Sequence, residues 1–498
     1  MRKTLLLLSL FVVTNVIGQN IDLDCQRLSA RDIDGTARYV GMAGAMTALG
    51  GDPSAVLDNP AGLGIYRHSE VMMTLAIRPE TTMPLNTKQK WTNTGFNIKQ
   101  VSAVFAMTKP YQTTGIVANN IMIGFQRMKT YDSKYQITGI DKNNSLTRVA
   151  AEKVSGRGIT EQMLANEGAD ASILTWSENE NIGWLSGMMY HTYLINPDQG
   201  SGDTYRSLLY KDESYSTDLL VEESGHSNHF SFDYSMNISN RFYWGIGLNI
   251  SWMDYYKRTT YKEAFGAENF YLKSILQQKT VGVNGTIGFL YRPVQAFRIG
   301  ASFQTPSIMK LQQASDGEIL SNIAMVDTTG KEYIGTFSRL TPYVCRYTNN
   351  QFTTPLRFSI SPAVQIGRYA LIAFQYDLSH WKNTMDTYTF KVGVEGAING
   401  HWLIEAGYAY ESSFVKKDKQ PIYAIPSNTV RLDTDWRNIY NSQYASFGFG
   451  FHGDWGIGHI TYQCRWQQSD VYAHEIAAPA PMRTLTHNIV VTIGWHSL

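Results

Sequence analysis

The stretch His229-Phe-Ser-Phe-Asp-Tyr-Ser-Met-Asn-Ile238 decides the fold class of this chain. Apolar side chains occupy every second position from Phe230 to Ile238, and polar side chains stand between them. Successive side chains of a β-strand point to opposite faces, so this strand has one apolar face and one polar face. Similar runs recur to the C-terminus, and the links between them are alternately short and long. A soluble sandwich also alternates, but the asymmetry of the links is typical of transmembrane β-barrels.

Fourteen such strands are predicted, and their apolar sets begin at Val71, Val101, Ile121, Phe230, Trp244, Val281, Phe297, Leu356, Ala370, Tyr388, Trp402, Ala445, Ile460 and Ile489. An even number places both chain ends on one side, which in bacterial barrels is the periplasm. The tight turns then fall on that side, near residues 110, 239, 294, 367, 399 and 453; Asn399-Gly400 is a strong hairpin signal. The long links fall outside the cell, at 80–95, 129–228, 259–277, 305–353, 379–387, 412–442 and 467–485.

The N-terminus predicts export. Arg2 and Lys3 precede the apolar stretch 5–13, and residues 16–18 end in a small residue, so 1–18 reads as a signal peptide. That stretch is shorter than the ~20 apolar residues that a membrane helix needs. Without residues 1–18 the chain has 41 basic and 42 acidic residues, a balance that does not suggest nucleic acid as a partner. The three cysteines, Cys25, Cys345 and Cys464, match no metal or redox motif.

Residues 19–68 do not alternate, and we predict that they form a separate unit before the barrel. The run 41–50 is rich in small residues, including Gly41 and Gly44, and is expected to form a short packed helix that ends at Gly50-Gly51. Asp52 or Ser54 can cap the next helical turn. Asn59-Pro60-Ala61-Gly62 predicts a rigid turn, because proline fixes φ and an asparagine side chain bonds nearby backbone. A disordered N-terminus is the alternative.

The stretch from Tyr39 to Gly64 resembles the hatch of FadL-type outer-membrane transporters, and Asn59-Pro60-Ala61 matches that family's hatch motif. The link from Tyr291 to Pro306 resembles the family's mid-barrel region, and the long loop 129–228 is more similar to Bacteroidetes-type members. The resemblance implies an all-β fold: a fourteen-stranded antiparallel transmembrane β-barrel, residues 69–498, plugged by an N-terminal hatch, residues 19–68. It places the protein in the outer membrane of a Gram-negative cell, with both termini in the periplasm.

The function implied by this resemblance is passive uptake of hydrophobic small molecules, such as long-chain fatty acids. The solute would first meet the outer loops, and hatch rearrangement would then open an exit, which in the family is lateral. Gly124 is a candidate kink for such an exit. Barrels of this type also include type IX secretion shuttles, so a protein partner is an alternative, and a haem (hemin) receptor is a further one.

The predicted lumen face carries charges of both signs: Glu70, Arg78, Asp233, Arg298, Arg357, Asp377, Lys391, Glu395, Glu405 and Arg465. Buried lone charges are costly, so oppositely charged partners are expected. Arg298, Arg357, Lys391 and Glu395 are the candidate lumen charges, which either seat the hatch or meet a ligand carboxylate, for which bidentate arginine is suited.

Loop 129–228 contains apolar residues at near-helical spacing, Ile182, Trp184, Leu185, Met188, Met189 and Tyr193. We expect an amphipathic helix over 181–194 above the barrel mouth. An exposed apolar face there could capture a hydrophobic molecule, whereas self-packing of the loop is the alternative.

Enzymatic chemistry is not predicted. The eleven histidines are scattered, and His226 and His229, three residues apart, lie where a loop meets a strand. No catalytic arrangement, metal site or cofactor motif stands out.

Overall fold

A computed structural model describes residues 27–85, 87, 89–109, 111–166, 182–198, 202–209, 213–340, 344–381, 385–413, 415 and 432–497, with the backbone alone for 344–352. The predicted signal peptide, Cys25 and the first residues of the predicted hatch lie outside this range. No helix in the described part of the chain is long and apolar enough to cross a membrane.

Fourteen strands of the described residues form a closed antiparallel barrel: β1 (Glu70–Pro84), β2 (Trp91–Thr108), β3 (Ile116–Thr130), β7 (Ser214–Ile238), β8 (Phe242–Phe265), β9 (Glu268–Val294), β10 (Phe297–Gln304), β14 (Leu356–Ile366), β15 (Ala370–His380), β16 (Thr387–Ile398), β17 (Trp402–Glu411), β18 (Trp436–Gly453), β19 (Gly456–Tyr472) and β20 (Ala480–His496). Pairing of β1 with β20 closes the barrel, from Glu70 opposite His496 to Pro84 opposite Met482. The structure confirms the predicted fourteen-stranded antiparallel barrel.

The deciding stretch lies in the wall as its pattern predicts. Ser231 and Asp233 are buried and face the lumen, whereas Phe230 and Phe232 are exposed on the outside. The outer surface of the barrel is apolar along many strands, and inward positions are mostly polar or small. This distribution is that of a barrel whose outer face meets lipid.

The remaining elements lie beyond the barrel: β4 (Ser133–Lys142), β5 (Ile195–Pro197), β6 (Tyr205–Ser207), β11 (Ile308–Val326), β12 (Glu332–Leu340), β13 (Val344–Thr353), and helices α3 (Leu146–Val154), α4 (Glu161–Asn166) and α5 (Trp184–His191). We call β4, β5, β6 and α3–α5 the outer cap. Helices α1 (Ala37–Gly41) and α2 (Pro53–Asp58) and a 3-10 helix (Pro60–Ile65) belong to residues 27–68, which we call the inner segment.

The wall is taller on one side than the sequence predicts. Strand β7 begins at Ser214, well before Phe230, and the predicted link 259–277 is wrong, because it forms the upper part of the β8–β9 hairpin. The alternation of β8 and β9 continues through this upper part because Tyr261, Phe270 and neighbouring side chains pack against the outer cap. Strands β10 and β11 both pair with β9, one after the other along its length. Strand β14 pairs with β10, and β13 pairs with β11. Most of 305–353 therefore also extends the wall.

Strand β3 contains no kink at Gly124. Ser102 and Ser231 both pair with this residue in regular register. The irregularities of β3 lie elsewhere, between 116 and 118 and between 127 and 129. Gly124 is therefore not the site of a gap in the wall.

Candidate functional site

The inner segment contains two short helices whose N-termini are capped by side chains. Thr36 caps α1 by accepting a hydrogen bond from the Tyr39 amide. Asp52 caps α2 by accepting from the amides of Ser54 and Ala55, as predicted. The predicted helix over 41–50 is wrong: α1 ends at Gly41, and turns follow, because Ala43 and Gly44 have φ of 48° and 74°.

The core of the inner segment is continuous with the barrel wall. Its small and flexible apolar side chains are buried against inward-facing wall residues, and the shared cluster includes Val40, Met42, Ala45, Met46 and Ala48 with Ala76, Ala363, Ala373 and Ala409. Residues of this size let the backbone of the segment approach the wall closely. The segment therefore occupies the lumen and is not disordered.

Glycines of the wall provide its seat. A Cβ at Gly407 would lie 2.5 Å from the Ala43 nitrogen, and one at Gly393 would lie 2.7 Å from the Met42 carbonyl oxygen. Gly245 meets Pro60 in the same way, and Gly288 and Gly300 face Asn59 and Thr47. Any larger side chain at these positions would displace the segment. The sequence showed these glycines only as polar-face positions of strands, without their contact.

The Asn59-Pro60-Ala61-Gly62 motif fastens this seat. The Asn59 side-chain amide donates to the carbonyls of Thr47, at 2.7 Å, and of Phe289 on β9, at 3.1 Å. Its oxygen accepts from the Ala61 amide at 3.1 Å, which orders the 3-10 helix after Pro60. One side chain thus joins two turns of the inner segment to the wall.

The four glycines predicted to pack in the hatch each have different neighbours. Gly41 lies against Glu405, and Gly44 lies against Tyr39. Gly50 touches the backbone of Gly62, where a Cβ would be 2.5 Å from the Gly62 Cα. Gly50 and Gly51 have φ of 58° and 64°, a backbone region that favours glycine.

Ion pairs add to this seat. Arg38 of α1 bonds Glu395 through two nitrogens, at 2.6 and 3.1 Å. Asp34 pairs with Lys99, and both are buried. Asp32 pairs with Arg78 at 2.9 Å and with Arg465 at 2.8 Å.

The four candidate lumen charges fall into two groups. Glu395 has Arg38 as its partner, and Lys391 pairs with Asp377 at 2.7 Å. Arg298 donates to the Gln365 side chain at 2.9 Å, and Arg357 donates to the Ser29 carbonyl at 3.1 Å. The arginines thus have neutral partners, whereas the other two charges are neutralised.

The outer cap covers the barrel mouth with a core of its own. Its buried side chains pack against the upper parts of β7–β9 and β11, and Leu432, Val471 and Met482 join the cluster from the other side of the barrel. Lys153 of α3 forms an ion pair with Glu475, in the link between β19 and β20, at 3.2 Å. The cap therefore spans the mouth from one side to the other.

The predicted ligand-capture surface is wrong. Helix α5 forms at Trp184–His191, within the predicted range, but Ile182, Trp184, Leu185, Met188 and Met189 are buried in the cap core. Tyr193 alone of the six is exposed, and its ring stands edge-on to Phe337 at 4.7 Å. Self-packing of the loop, the alternative, describes these contacts.

A cavity lies between the inner segment and the outer cap, with an empty space of about 1230 Å³ that includes its open part. Ala30–Asp32 line it from below, Tyr135 of β4 lines it from the cap, and Trp436 and Tyr444 line it from the wall. Ionisable groups surround it: Arg27, Arg31, Asp32, Glu80, Lys129, Glu223, Lys257, Glu411, Asp433, Asp435, Arg437 and Arg465. This space has room for a small solute, and the many ionisable groups around it distinguish it from a purely hydrophobic tunnel.

Most of these cavity residues were not predicted from the sequence. Arg31 and Asp32 precede the motif-bearing part of the inner segment, where no alternation indicates which side chains face the lumen. Of the two histidines considered for haem, His229 lines a smaller cavity beside Arg31. His226 lies three residues earlier on β7, opposite Asp254 on β8.

No protein-family model matches the chain, and no curated protein matches it. Among solved structures, a Pseudomonas aeruginosa FadL homologue is similar with a TM-score of 0.52 and 9% identity, over 94% of this chain and 99% of that one. The chain has the fold of a FadL homologue. The toluene transporters TodX of P. putida and TbuX of Ralstonia pickettii align with TM-scores of 0.47 and 0.48, at 10% and 11% identity, each over 94% of this chain and 99% of theirs. At these identities the likeness concerns the fold and not the solute.

Proposed function

We propose that the protein is an outer-membrane channel for passive uptake of small molecules with a hydrophobic part, such as fatty acids. The apolar outer face of the closed barrel supports a membrane location. Both ends of the barrel chain, Glu70 and His496, meet at the rim of tight turns, which supports a periplasmic position for the termini.

The observation that carries this proposal is the cavity between the outer cap and the inner segment. The outer cap closes it from above, and the inner segment closes it from below. The likeness to a FadL homologue supports the same class of function by analogy of fold. A solute would enter past the cap, rest in the cavity and leave when the inner segment moves.

The inner segment has the properties expected of a gate. It contacts the wall through side-chain packing, hydrogen bonds and ion pairs, among them those of Asn59, Arg38–Glu395 and Asp34–Lys99, while the barrel closes without it through β1 and β20. Its movement therefore requires no strand of the wall to separate. A secretion-linked role for a protein partner has no comparable support among the contacts described.

Uptake into liposomes tests the transport proposal. Purified protein is reconstituted, and entry of labelled dodecanoate, toluene and a similar-sized sugar is compared with entry into empty liposomes. We expect faster entry of dodecanoate and no acceleration for the sugar. Equal rates for all three, or no acceleration of any, would overturn the proposal.

Removal of residues 27–68 tests the gate. The shortened barrel should conduct ions in planar bilayers more than the full chain, because only the outer cap then covers the lumen. Its heat-modifiable migration in gels shows whether the barrel has folded. A folded, shortened barrel that conducts no more than the full chain would show that the inner segment is not the barrier.

A further inference from the structure

Several ionisable groups around the cavity have no oppositely charged partner among the described residues. Arg31 makes no hydrogen bond or ion pair with the described residues, although it lines this cavity and the two smaller ones next to it. Lys129 donates to the Arg27 carbonyl at 3.1 Å and lies 5.3 Å from the centre of the Tyr131 ring. In the described part of the chain neither has a carboxylate within ion-pair distance.

Two carboxylates of the same cavity are in a similar position. Glu411 accepts a hydrogen bond from the Tyr444 hydroxyl at 3.4 Å, and Glu223 accepts one from Tyr255. No lysine or arginine of the described residues lies within ion-pair distance of either. Charges of both signs therefore face one space without direct neutralisation.

Several charges elsewhere in the lumen are paired. Lys99 meets Asp34, and Lys257 meets Asp435 at 2.8 Å. Burying an ionised group without a partner costs several kcal/mol, about the amount that a close opposite charge offsets. The unpaired groups around the cavity carry both signs, so a bound solute can supply the missing charges.

We propose that the cavity binds a dipolar solute, whose anionic group meets Arg31 and whose cationic or hydrogen-bond-donating group meets Glu411. The rings of Trp436 and Tyr444 line the same space and offer an apolar surface to the body of the solute. This inference rests on the proposed function for its biological meaning, and it narrows the solute from hydrophobic compounds in general to amphipathic molecules that carry charge.

Chain-matched probes test the proposal on purified protein in nanodiscs. Dodecanoate, dodecylamine, ω-aminododecanoate and dodecanol differ only in their end groups, and calorimetry gives the dissociation constant of each. We expect ω-aminododecanoate to bind most tightly and dodecanol least. Equal affinities, or tightest binding of dodecanol, would overturn the proposal.

Single substitutions assign the two ends. R31Q should weaken dodecanoate and ω-aminododecanoate about tenfold or more while leaving dodecylamine unchanged, because a charged hydrogen bond contributes at least about 1.5 kcal/mol. E411Q should weaken dodecylamine and ω-aminododecanoate and leave dodecanoate unchanged. R148Q on the outside of the cap removes an exposed ion pair with Glu152 and serves as the control.

Loss of binding by all probes in a variant that keeps the circular dichroism and heat-modifiable migration of the parent would contradict the assignment of ends. The calorimetry requires no transport. If binding depends on Arg31 but the protein fails the liposome test, the inference stands and the proposed function is refuted. If the protein takes up dodecanoate but binding does not depend on Arg31, the proposed function stands and the inference is refuted.

Discussion

The buried pair of Asp34 and Lys99 joins the inner segment to the wall, and its removal should loosen the segment. Lys99 points into the lumen because of a bulge in β2, where the register with β1 shifts between Thr74 and Leu75 and places both Lys99 and Gln100 inside. The exposed fractions of the two paired side chains are 0% and 3%. K99M would leave the Asp34 carboxylate buried, with the Gly35 amide among its remaining donors.

Breaking a buried ion pair from one side costs about 3–5 kcal/mol, because the other charge remains uncompensated. Since each 1.4 kcal/mol is a factor of ten in an equilibrium constant, the seated inner segment should lose a factor of about one hundred to several thousand relative to unseated forms. The double variant D34N/K99M removes both charges, so we expect it to lose much less.

Hydrogen exchange of the amides in 27–68, followed by mass spectrometry, measures this change. K99M should exchange faster there than the parent, and D34N/K99M should fall between them, with the barrel strands unchanged in all three. K273M is the matched control, because Lys273 pairs with Glu318 on the surface, where such pairs contribute at most about 1 kcal/mol. If K99M and D34N/K99M exchange equally fast, the argument from the uncompensated charge is refuted.

Two further outcomes follow from the seat and the cap. G407A adds a Cβ 2.5 Å from the Ala43 nitrogen and should raise ion conductance in bilayers, whereas G396A, whose nearest neighbour is 4.0 Å away, should not. Equal conductance of the two variants would refute the claim that wall glycines hold the inner segment in place. His474, in the link between β19 and β20, contacts Tyr261 of the core beneath the cap, and burial lowers its pKa to about 3. The packing of the cap on this core therefore keeps its full stability above the ordinary pKa of about 6.5 and loses it as the pH falls toward 3, by about 2 kcal/mol at pH 5. Proteolysis of the cap should therefore quicken at pH 5 in the parent and not in H474Q, and a parent insensitive to pH would contradict this.

The barrel follows from local patterns, because each strand shows its face in its own sequence. Phe230 and Ser231 alternate for reasons that need no knowledge of the partner strand. The tight turns are equally local: Asn399 and Gly400 both have positive φ, as the hairpin signal requires.

The inner contacts and the cap depend on residues far apart in the chain. The helix at Trp184–His191 was predictable from spacing, but its burial depends on Tyr261, Phe270 and Ile319, which no local pattern connects to it. Lys99 appears in the sequence as one more residue of a strand, and only the bulge turns it toward Asp34. Arg31 lacks any motif, so its place in the cavity is visible only in three dimensions.

The most direct test of the central claim is to tether the inner segment to the wall. In a chain with Cys25, Cys345 and Cys464 replaced by serine, R38C and E395C place two thiols where an ion pair joins the segment to β16, and a bifunctional methanethiosulfonate links them reversibly. T81C and T92C, paired across β1 and β2 away from the segment, form the control. Dodecanoate entry into liposomes should fall when the first pair is cross-linked, return on reduction, and remain unchanged in the control. Unchanged entry through the fully cross-linked R38C/E395C protein would contradict the account.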